Sequence, residues 1–512
     1  MEQCTGLADA PFPGSGTDQL CALDHPFRLL QPAGEVLRMA GGDTLILAAG
    51  SYKLGYGAPG AELCDPVGTY DCLMPPLPSG PDPDHPTRLL GAGWEAGCPA
   101  PPELWGSGRP WFLVNLTGSS NVEIGCLEIT DHSDCVEDHT GGLACERDKP
   151  PYGDWAAFGL YAVDSRNIFL HDLNIHGLAA GGIHAGRLSD WRVENVRIAG
   201  NGLVGWEGDL WGEDSANSGR LVFRHLTVEW NGCGETYPGG QPTGCWGQEA
   251  GGYGDGLGTA DTGGDWIFED SAFLHNTSDG LDLLYHSKGG TVSLNRVRSE
   301  GNAGNQIKIT GGVAITNSVL VGNCAFFEGQ PFTYWVDHCR ALGSTLVVDF
   351  TGGEGVSLLN TTLYGQGDGL IGAGPRAGFQ CNGAESLSAR NSLFLGDRDY
   401  TDPEDISFLF YQEGCGGLKL DSDDNLIYRA KNITCGVEED FVLSGRQDLC
   451  QDPLLLGPFS GPAYGLQLQP GSPAIDSGEP ALCPPVDFLN NPRPLDGDRD
   501  GNPVCDRGAY EY

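Results

Sequence analysis

Three aspartates and a lysine fall into a single register when five short segments between residues 180 and 312 are written beneath one another. The segments are Gly181-Gly-Ile-His184, Asn201-Gly-Leu-Val204, Asp255-Gly-Leu-Gly258, Asp279-Gly-Leu-Asp282 and Asn305-Gln-Ile-Lys308. The third position is always Leu or Ile and the second is usually Gly, while carboxylates and one amine collect at the first and fourth. On stacked parallel strands, aligned residues stand about 4.8 Å apart. That spacing predicts Asp255 over Asp279 and Asp282 over Lys308. Carboxylate oxygens are what a hard cation such as calcium selects, with Ser278 and Asn276 as further oxygen donors. Carboxylates so close repel one another, so at least one is expected to hold its proton unusually tightly when no metal is bound. The plain reading is that Asp-Gly is a common turn dipeptide. Two in register on adjacent coils, with a third carboxylate beside them, favour a calcium site.

Lys308 stands between Ile307 and Ile309, so its side chain is expected to leave the core beside Asp282. An ordinary strand-surface salt bridge would explain it, but the chain has only six lysines and one falls at this wall. Next to a dication a lysine gives up its proton more readily and becomes a usable general base. That combination suits β-elimination in an acidic polysaccharide. A cation on the uronate carboxylate acidifies the C5 proton, a base removes it, and the C4 glycosidic oxygen leaves. Asn305, His184, Trp206 and Tyr285 are the expected substrate contacts, His184 from the outward row and the aromatics as sugar-stacking faces. Trp211, Trp246 and Tyr253 are weaker aromatic candidates, and Glu207, Asp209 and Asp214 can rim the groove. Any one aromatic more often packs than binds. Arg296 and Arg298 sit on another strand type and are not assigned a role.

These residues need a scaffold that repeats. A second strand type precedes the first, with a polar residue at its centre: Asp172, Asn195, His225, Asp270, Asn295 and Asn317, at intervals of 22 to 45 residues. Apolar and polar residues alternate within each segment, which is the strand period of two. An apolar residue recurring once per few tens of residues is the signature of a solenoid, whose coils bury their faces only against their neighbours. Eighty glycines and 34 prolines suit a chain that turns several times per coil. The expected fold is a right-handed parallel β-helix. Residues 1–110 read as an N-terminal cap and first coil, 111–400 as the coils carrying the site, and 401–512 as last coils and an irregular capping segment. Asp368-Gly-Leu-Ile371 echoes the repeat, and past Tyr400 the periodicity fades.

Eighteen cysteines with close pairs such as Cys64/Cys72, Cys126/Cys135/Cys145 and Cys233/Cys245 read as loop-stapling disulfides of a secreted protein. The chain opens without a charged and apolar leader, so a signal peptide is expected to have been removed. No apolar stretch approaches the length of a membrane span. A formal net charge of −41 argues against nucleic acid as a partner. It also means that an acidic substrate needs positive charge brought to the site, which a bound cation supplies. A monomer is expected. In the tail, Asp496-x-Asp498-x-Asp500-Gly501 copies the first half of a calcium loop, but Arg507 stands where its bidentate Glu belongs.

Asp255-Gly, Asn276-Thr-Ser-Asp279-Gly-Leu-Asp282-Leu-Leu and Gly304-Asn305-Gln-Ile-Lys308-Ile together resemble the core of the family 9 polysaccharide lyases, β-helical pectate lyases. The resemblance covers about 130 residues. It implies that Asp255, Asp279 and Asp282 match aspartates that hold calcium and that Lys308 matches the base. Ser278 departs from the pattern, since the family carries a further aspartate there. Two other classes stay open. A polygalacturonase-like hydrolase needs paired carboxylates and no base lysine, and the usual Asp-Asp doublet is missing from the coils, Asp423-Asp424 lying outside the repeat. A glycan-binding or adhesin-type β-helix would use the carboxylates only to hold structural calcium.

Overall fold

Strand after strand pairs in parallel with the strand one coil later, and the helices among the described residues are short 3-10 turns. The computed structural model describes residues 39–58, 74–139, 142–146, 152–210, 212, 214–247, 253–367, 369–397, 406–411, 415, 417–431, 445, 447–457 and 463–512. Cys64, Cys72, Trp211 and Asp368 lie outside the described residues. The chain forms two compact units, residues 1–222 with 230–246, and residues 223–229 with 247–512. Each is a parallel β-helix, right-handed as parallel crossovers are.

In the first unit, one stack runs Thr87–Gly91, Ser120–Asp131, Arg166–His176 and Ser189–Ala199. A second runs Phe112–Asn115, Phe158–Val163, Gly181–Gly186 and Val204–Gly208. The register here departs from the expected one. Val204 pairs with Gly181 and Trp206 with Ile183, a slip of three residues from the alignment of Val204 with His184. Asn201 explains it. Its side chain turns into the coil corner, donating to Asn231 at 2.9 Å, so it closes a turn rather than opening a strand.

The second unit has three strand rows. The first is Thr227–Glu229, Ala272–Leu274, Arg298–Glu300, Val319–Gly322, Thr362–Gly365, Leu393–Gly396 and Leu426–Tyr428. The second runs from Asp265–Glu269 through Thr291–Asn295, Gly312–Thr316, Gly355–Leu359 and Ser386–Arg390 to Lys419–Asp423. The third is Leu257–Thr259, Leu281–Leu283, Ile307–Thr310, Leu346–Phe350, Gly369–Pro375, Ile406–Tyr411 and Ala430–Lys431. Coils therefore continue past Tyr400. The longer loops between late strands hide the period without ending it.

Corners between the first two rows are left-handed: φ is 50° at Asp270, 55° at Arg296, 47° at Asn317, 48° at Asn360 and 50° at Asn391. Asn and Asp tolerate that conformation better than other residues with a Cβ, which is why they recur. Asn295 is not the corner of its coil. It pairs with Glu269, and Arg296 takes the corner, its fork donating to both Asp270 oxygens at 2.6 and 2.8 Å.

Inside, the third row stacks Leu257, Leu281, Ile307, Leu346 and Ile371, all fully buried. The glycine before the leucine is a packing requirement. A Cβ on Gly256 would stand 2.4 Å from the Gly280 carbonyl oxygen, and one on Gly280 2.5 Å from that of Gln306. The C-terminal segment packs Leu466, Ala509 and Tyr510 against Val319, Val321, Tyr364 and Leu395 of the first row. It also takes hydrogen bonds from the corner asparagines, Asn317 to the Val486 carbonyl, Asn360 to that of Asp506 and Asn391 to that of Glu479. Six disulfides join described cysteines, among them Cys135–Cys145 and Cys233–Cys245, while Cys126 pairs with Cys98. No helix among the described residues is long and apolar enough to cross a membrane.

Candidate functional site

The third row of the second unit brings the three aspartates and the lysine together. Leu257 pairs with Leu281 and Leu281 with Ile307, so strand alternation turns Asp282 and Lys308 outward at paired positions. Asp255 and Asp279 sit two residues before these leucines, where the chain enters the strand. Oxygens of Asp255, Asp279 and Asp282 lie within 4.8 Å of one another, and all three residues are buried. The Asp279 backbone N–H donates to Asp255 Oδ1 at 2.9 Å, which ties the first two coils together. Lys308 Nζ donates to Asp279 Oδ2 at 2.9 Å and to Asp282 Oδ2 at 2.7 Å. The remaining Asp282 oxygen accepts the Leu284 N–H at 2.9 Å.

Charge governs the protonation of this wall. Burial, then the neighbouring charges of Asp279 and Asp282, push the Asp255 carboxyl up to about 8. A carboxyl that holds its proton tightly is what the sequence leads one to expect, with burial contributing more than the crowding of like charges. Burial works to lower the Lys308 pKa, but the surrounding aspartates outweigh it and hold the amine well above its ordinary value. In this arrangement Lys308 is the ammonium counter-ion of the aspartates.

Several expected contacts have other work. Asn305 is 1% exposed. Its backbone N–H and side-chain amide both donate to Asp279 Oδ1, at 2.6 and 3.1 Å, and its own oxygen accepts the Ser344 N–H. It positions Asp279 and has no face for a sugar. Asn276 is spent on the corner ladder, donating to Asn302 at 2.8 Å. His184 and Trp206 belong to the first unit and are both fully buried, so neither offers a sugar-facing surface. His184 packs on Phe158 and Tyr161 and contacts the Asp209 carbonyl through Nε2, and burial pushes its pKa down to about 4. Trp206 meets Trp191 edge-on in the core. Tyr253 is buried, and Trp246 packs on His139. Arg296 is paired with Asp270 and Arg298 with Glu300. Of the four expected substrate contacts, Tyr285 alone is exposed, at 43%.

Three residues escaped the sequence reading. Asp349, opposite Thr310 on the next coil, adds a fourth carboxylate, and burial pushes it up to about 6. Alternation in Leu346-Val-Val-Asp349-Phe was its only signal, without an Asp-Gly to mark it. Arg376 places its guanidinium carbon 4.7 Å from the Tyr285 ring centroid and pairs with Asp261. Arg340 donates to Ser278 Oγ at 2.6 Å. Both arginines arrive from loops, which periodicity does not register.

Two groups among the described residues have the ligand atoms to hold a metal ion. One is Asp255, Asp279 and Asp282, an all-oxygen set suited to a hard divalent cation. The other joins Asp476 to Asp496 and Asp498, whereas Asp500 turns back to accept the Asn502 N–H at 2.7 Å. Arg507 is engaged elsewhere, donating to the Asn425 and Gln447 carbonyls.

No protein-family model matches the chain, and no curated protein matches it. Among solved structures it is similar to pectate lyase Pel9A, with 13% identity over 92% of this chain and 88% of that one and a TM-score of 0.43. It is also similar to the A-module of the Azotobacter vinelandii mannuronan C-5 epimerase AlgE4, with 12% identity over 80% of this chain and 91% of that one and a TM-score of 0.39. The AlgE6 A-module from the same organism gives 12%, 80%, 90% and 0.38. At such identities and TM-scores these likenesses carry no inference about chemistry.

Proposed function

We propose that the protein is a secreted polysaccharide lyase that cleaves a uronate-containing polymer by β-elimination, with calcium at Asp255, Asp279 and Asp282 and Lys308 as the base. The observation that carries this reading is the lysine amine 2.9 and 2.7 Å from two of three clustered carboxylates. The donor set fits the ion, since the three side chains that converge offer carboxylate oxygens, and the charges of Asp279 and Asp282 act on Asp255 more strongly than that of Lys308. When bound, the cation supplies the charge that draws electrons from the substrate carboxylate and acidifies the C5 proton. The chain's own residues do the rest. Asn305 and the Asp279 N–H bond fix the ligand carboxylates in place. Once those carboxylates are engaged, the effect left acting on Lys308 is burial, which favours the neutral amine. That amine takes the C5 proton. The C4–oxygen bond breaks as the C4–C5 double bond forms, and the departing oxygen takes a proton from solvent. Tyr285, stiffened by Arg376 beneath its ring, is a stacking face for a neighbouring sugar.

An inverting hydrolase fits less well, because its carboxylates need about 6.5–9.5 Å to admit a water, and these lie within 4.8 Å. A non-catalytic glycan-binding module is the second reading, favoured by Lys308 being held as an ammonium between two carboxylates. One assay separates them. Polygalacturonate, alginate and glycosaminoglycans are offered with calcium while near-ultraviolet absorbance from an unsaturated product is followed. The lyase reading expects that signal with at least one polymer and its loss on chelation. Absence across the panel, with binding retained, overturns it in favour of the binding module.

A further inference from the structure

We propose that Asp349 is the general acid of this site, the group that in place of solvent protonates the departing C4 oxygen; this rests on the reading of the site as a lyase and deepens it. Asp349 lies in Leu346–Phe350, the strand that follows the Lys308 strand in the third row. Lys308 pairs with Val347, and Thr310 with Asp349. Alternation therefore turns Val347 and Asp349 to the face that carries Lys308 and Asp282. With strands about 4.8 Å apart and a rise of about 3.3 Å per residue, the Lys308 and Asp349 backbones stand about 8 Å apart. The C5 hydrogen and the C4 oxygen leave from adjacent carbons of one ring, so two side chains at that separation can reach both.

The Asp349 oxygens are uncommitted, unlike those of the cluster. Asp255 accepts the Asp279 N–H, Asp279 accepts from Asn305 and Lys308, and Asp282 accepts from Lys308 and the Leu284 N–H. Among the described residues none donates a hydrogen bond to the Asp349 carboxylate, although the residue is only 9% exposed. A buried polar group left without a partner costs stability, and a catalytic role is one reason such a group is kept. Asp349 stands two coils from Asp282, outside the group that offers ligands to a metal. Burial pushes its pKa up to about 6, with Lys308 and Arg376 resisting the rise and Asp282 adding to it. A polymer lying over it would remove more water and favour the protonated form further.

The order of groups along the strands gives the substrate a direction. Asp255 and Asp279 stand at the strand entries, Asp282 and Lys308 follow, and Asp349 lies two residues further along. Beyond it come two exposed rings, Tyr285 at 43% and Phe379 at 41%. Arg376 follows Pro375, the partner of Phe350, and its guanidinium carbon lies 4.7 Å from the Tyr285 centroid and 5.4 Å from that of Phe379. The reacting uronate then sits over Lys308, and the sugar that departs with the C4 oxygen lies past Asp349 on the aromatic end. The neutral Lys308 amine takes the C5 proton, and the electrons of that C–H bond form the C4–C5 double bond. The C4–oxygen bond breaks with its electrons on oxygen, which takes the Asp349 proton. A proton passing from Lys308 to Asp349 through solvent restores both groups.

The test gives the full chain and its variants polygalacturonate, alginate and glycosaminoglycans with calcium in deuterium oxide. Unsaturated product and deuterium incorporated at C5 of the uncleaved polymer are both measured. Asp349→Asn is expected to lose about a hundredfold or more in kcat with KM unchanged, yet to keep exchanging the C5 hydrogen, because Lys308 still acts. Lys308→Ala should lose product and exchange together, and Asp349→Glu should recover part of kcat. Asp349→Asn should melt no lower than the parent, since it removes a buried carboxyl that no described residue bonds. Near-parental product formation by Asp349→Asn, or loss of product and exchange together in that variant, overturns the acid and leaves the lyase reading standing. A lower melting temperature without rescue by Asp349→Glu makes the residue structural and overturns it as well. A parent that forms no unsaturated product from any of the polymers overturns the lyase reading, and the acid falls with it.

Discussion

Asp282 and Lys308 occupy paired positions on adjacent coils, and the lysine amine stands 2.7 Å from the aspartate oxygen. The pairing follows from Leu281 over Ile307 in the core, so apolar stacking places the two charged groups together. A buried ion pair of this kind is costly to break from one side.

Removing the amine separates catalysis from metal binding. Lys308→Ala should abolish proton abstraction, and product absorbance should fall to background. It should also raise calcium affinity by about tenfold or more, since an ammonium bonded to two of the ligands no longer competes. Calorimetric calcium titration of the variant checks this. An affinity equal to the parent's would mean that calcium does not use those carboxylates.

Asp282→Asn weakens the same contact from the other side. Lys308 keeps Asp279 but loses the charge of its shorter partner, so denaturant melts should show a loss of about 1–3 kcal/mol. An unchanged midpoint would show that the pair contributes nothing net.

The apolar half of the pairing is tested by Leu281→Ala, which removes a fully buried side chain between Leu257 and Ile307. The expected destabilisation is about 2–5 kcal/mol. Activity of the folded fraction should drop too, because the charged residues inherit their spacing from this stack.

Asp255 makes stability depend on pH. Its folded pKa of about 8 lies above the unfolded value, so the folded state holds the proton more tightly. The contribution is fully present below about pH 4 and is lost as pH rises through about 8. Melting temperature measured from pH 5 to 9 without divalent cations should therefore fall toward alkaline pH. In Asp255→Asn that slope should be smaller. A parent and variant with parallel profiles would remove Asp255 as its source.

If the exposed Tyr285 ring stacks on a sugar as proposed, Tyr285→Ala should raise the KM for the polymer several-fold with a small change in kcat, while Tyr285→Phe, which keeps the ring face, should behave like the parent. Initial rates over a range of polymer concentrations decide between them.

What the sequence made legible was whatever the repeat controls. Leu257, Leu281 and Ile307 mark three coils with the same local pattern, and the aspartates and lysine came with them in the observed register. Where a different force sets the local conformation, the pattern misleads. Asn201 looks like a strand entry but closes a corner with Asn231, which moves Trp206 into the core. Arg296 holds a left-handed corner that composition assigns to Asn295, because its ion pair with Asp270 compensates. Asp349, Arg340 and Arg376 reach the site across coil or loop boundaries, and only the folded chain brings them near.

The C-terminal segment changes how the second unit can come apart. A solenoid held only by neighbour contacts frays from its ends, one repeat at a time, because each interface opens independently. Here a single stretch of chain ties the corners at Asn317, Asn360 and Asn391, on three successive coils. None of those coils can swing away without releasing the tail from the others, so their opening is linked. Amides across these coils should therefore exchange with solvent as one block. Proteolytic removal of the last residues would convert that single cooperative event into a sequence of smaller ones.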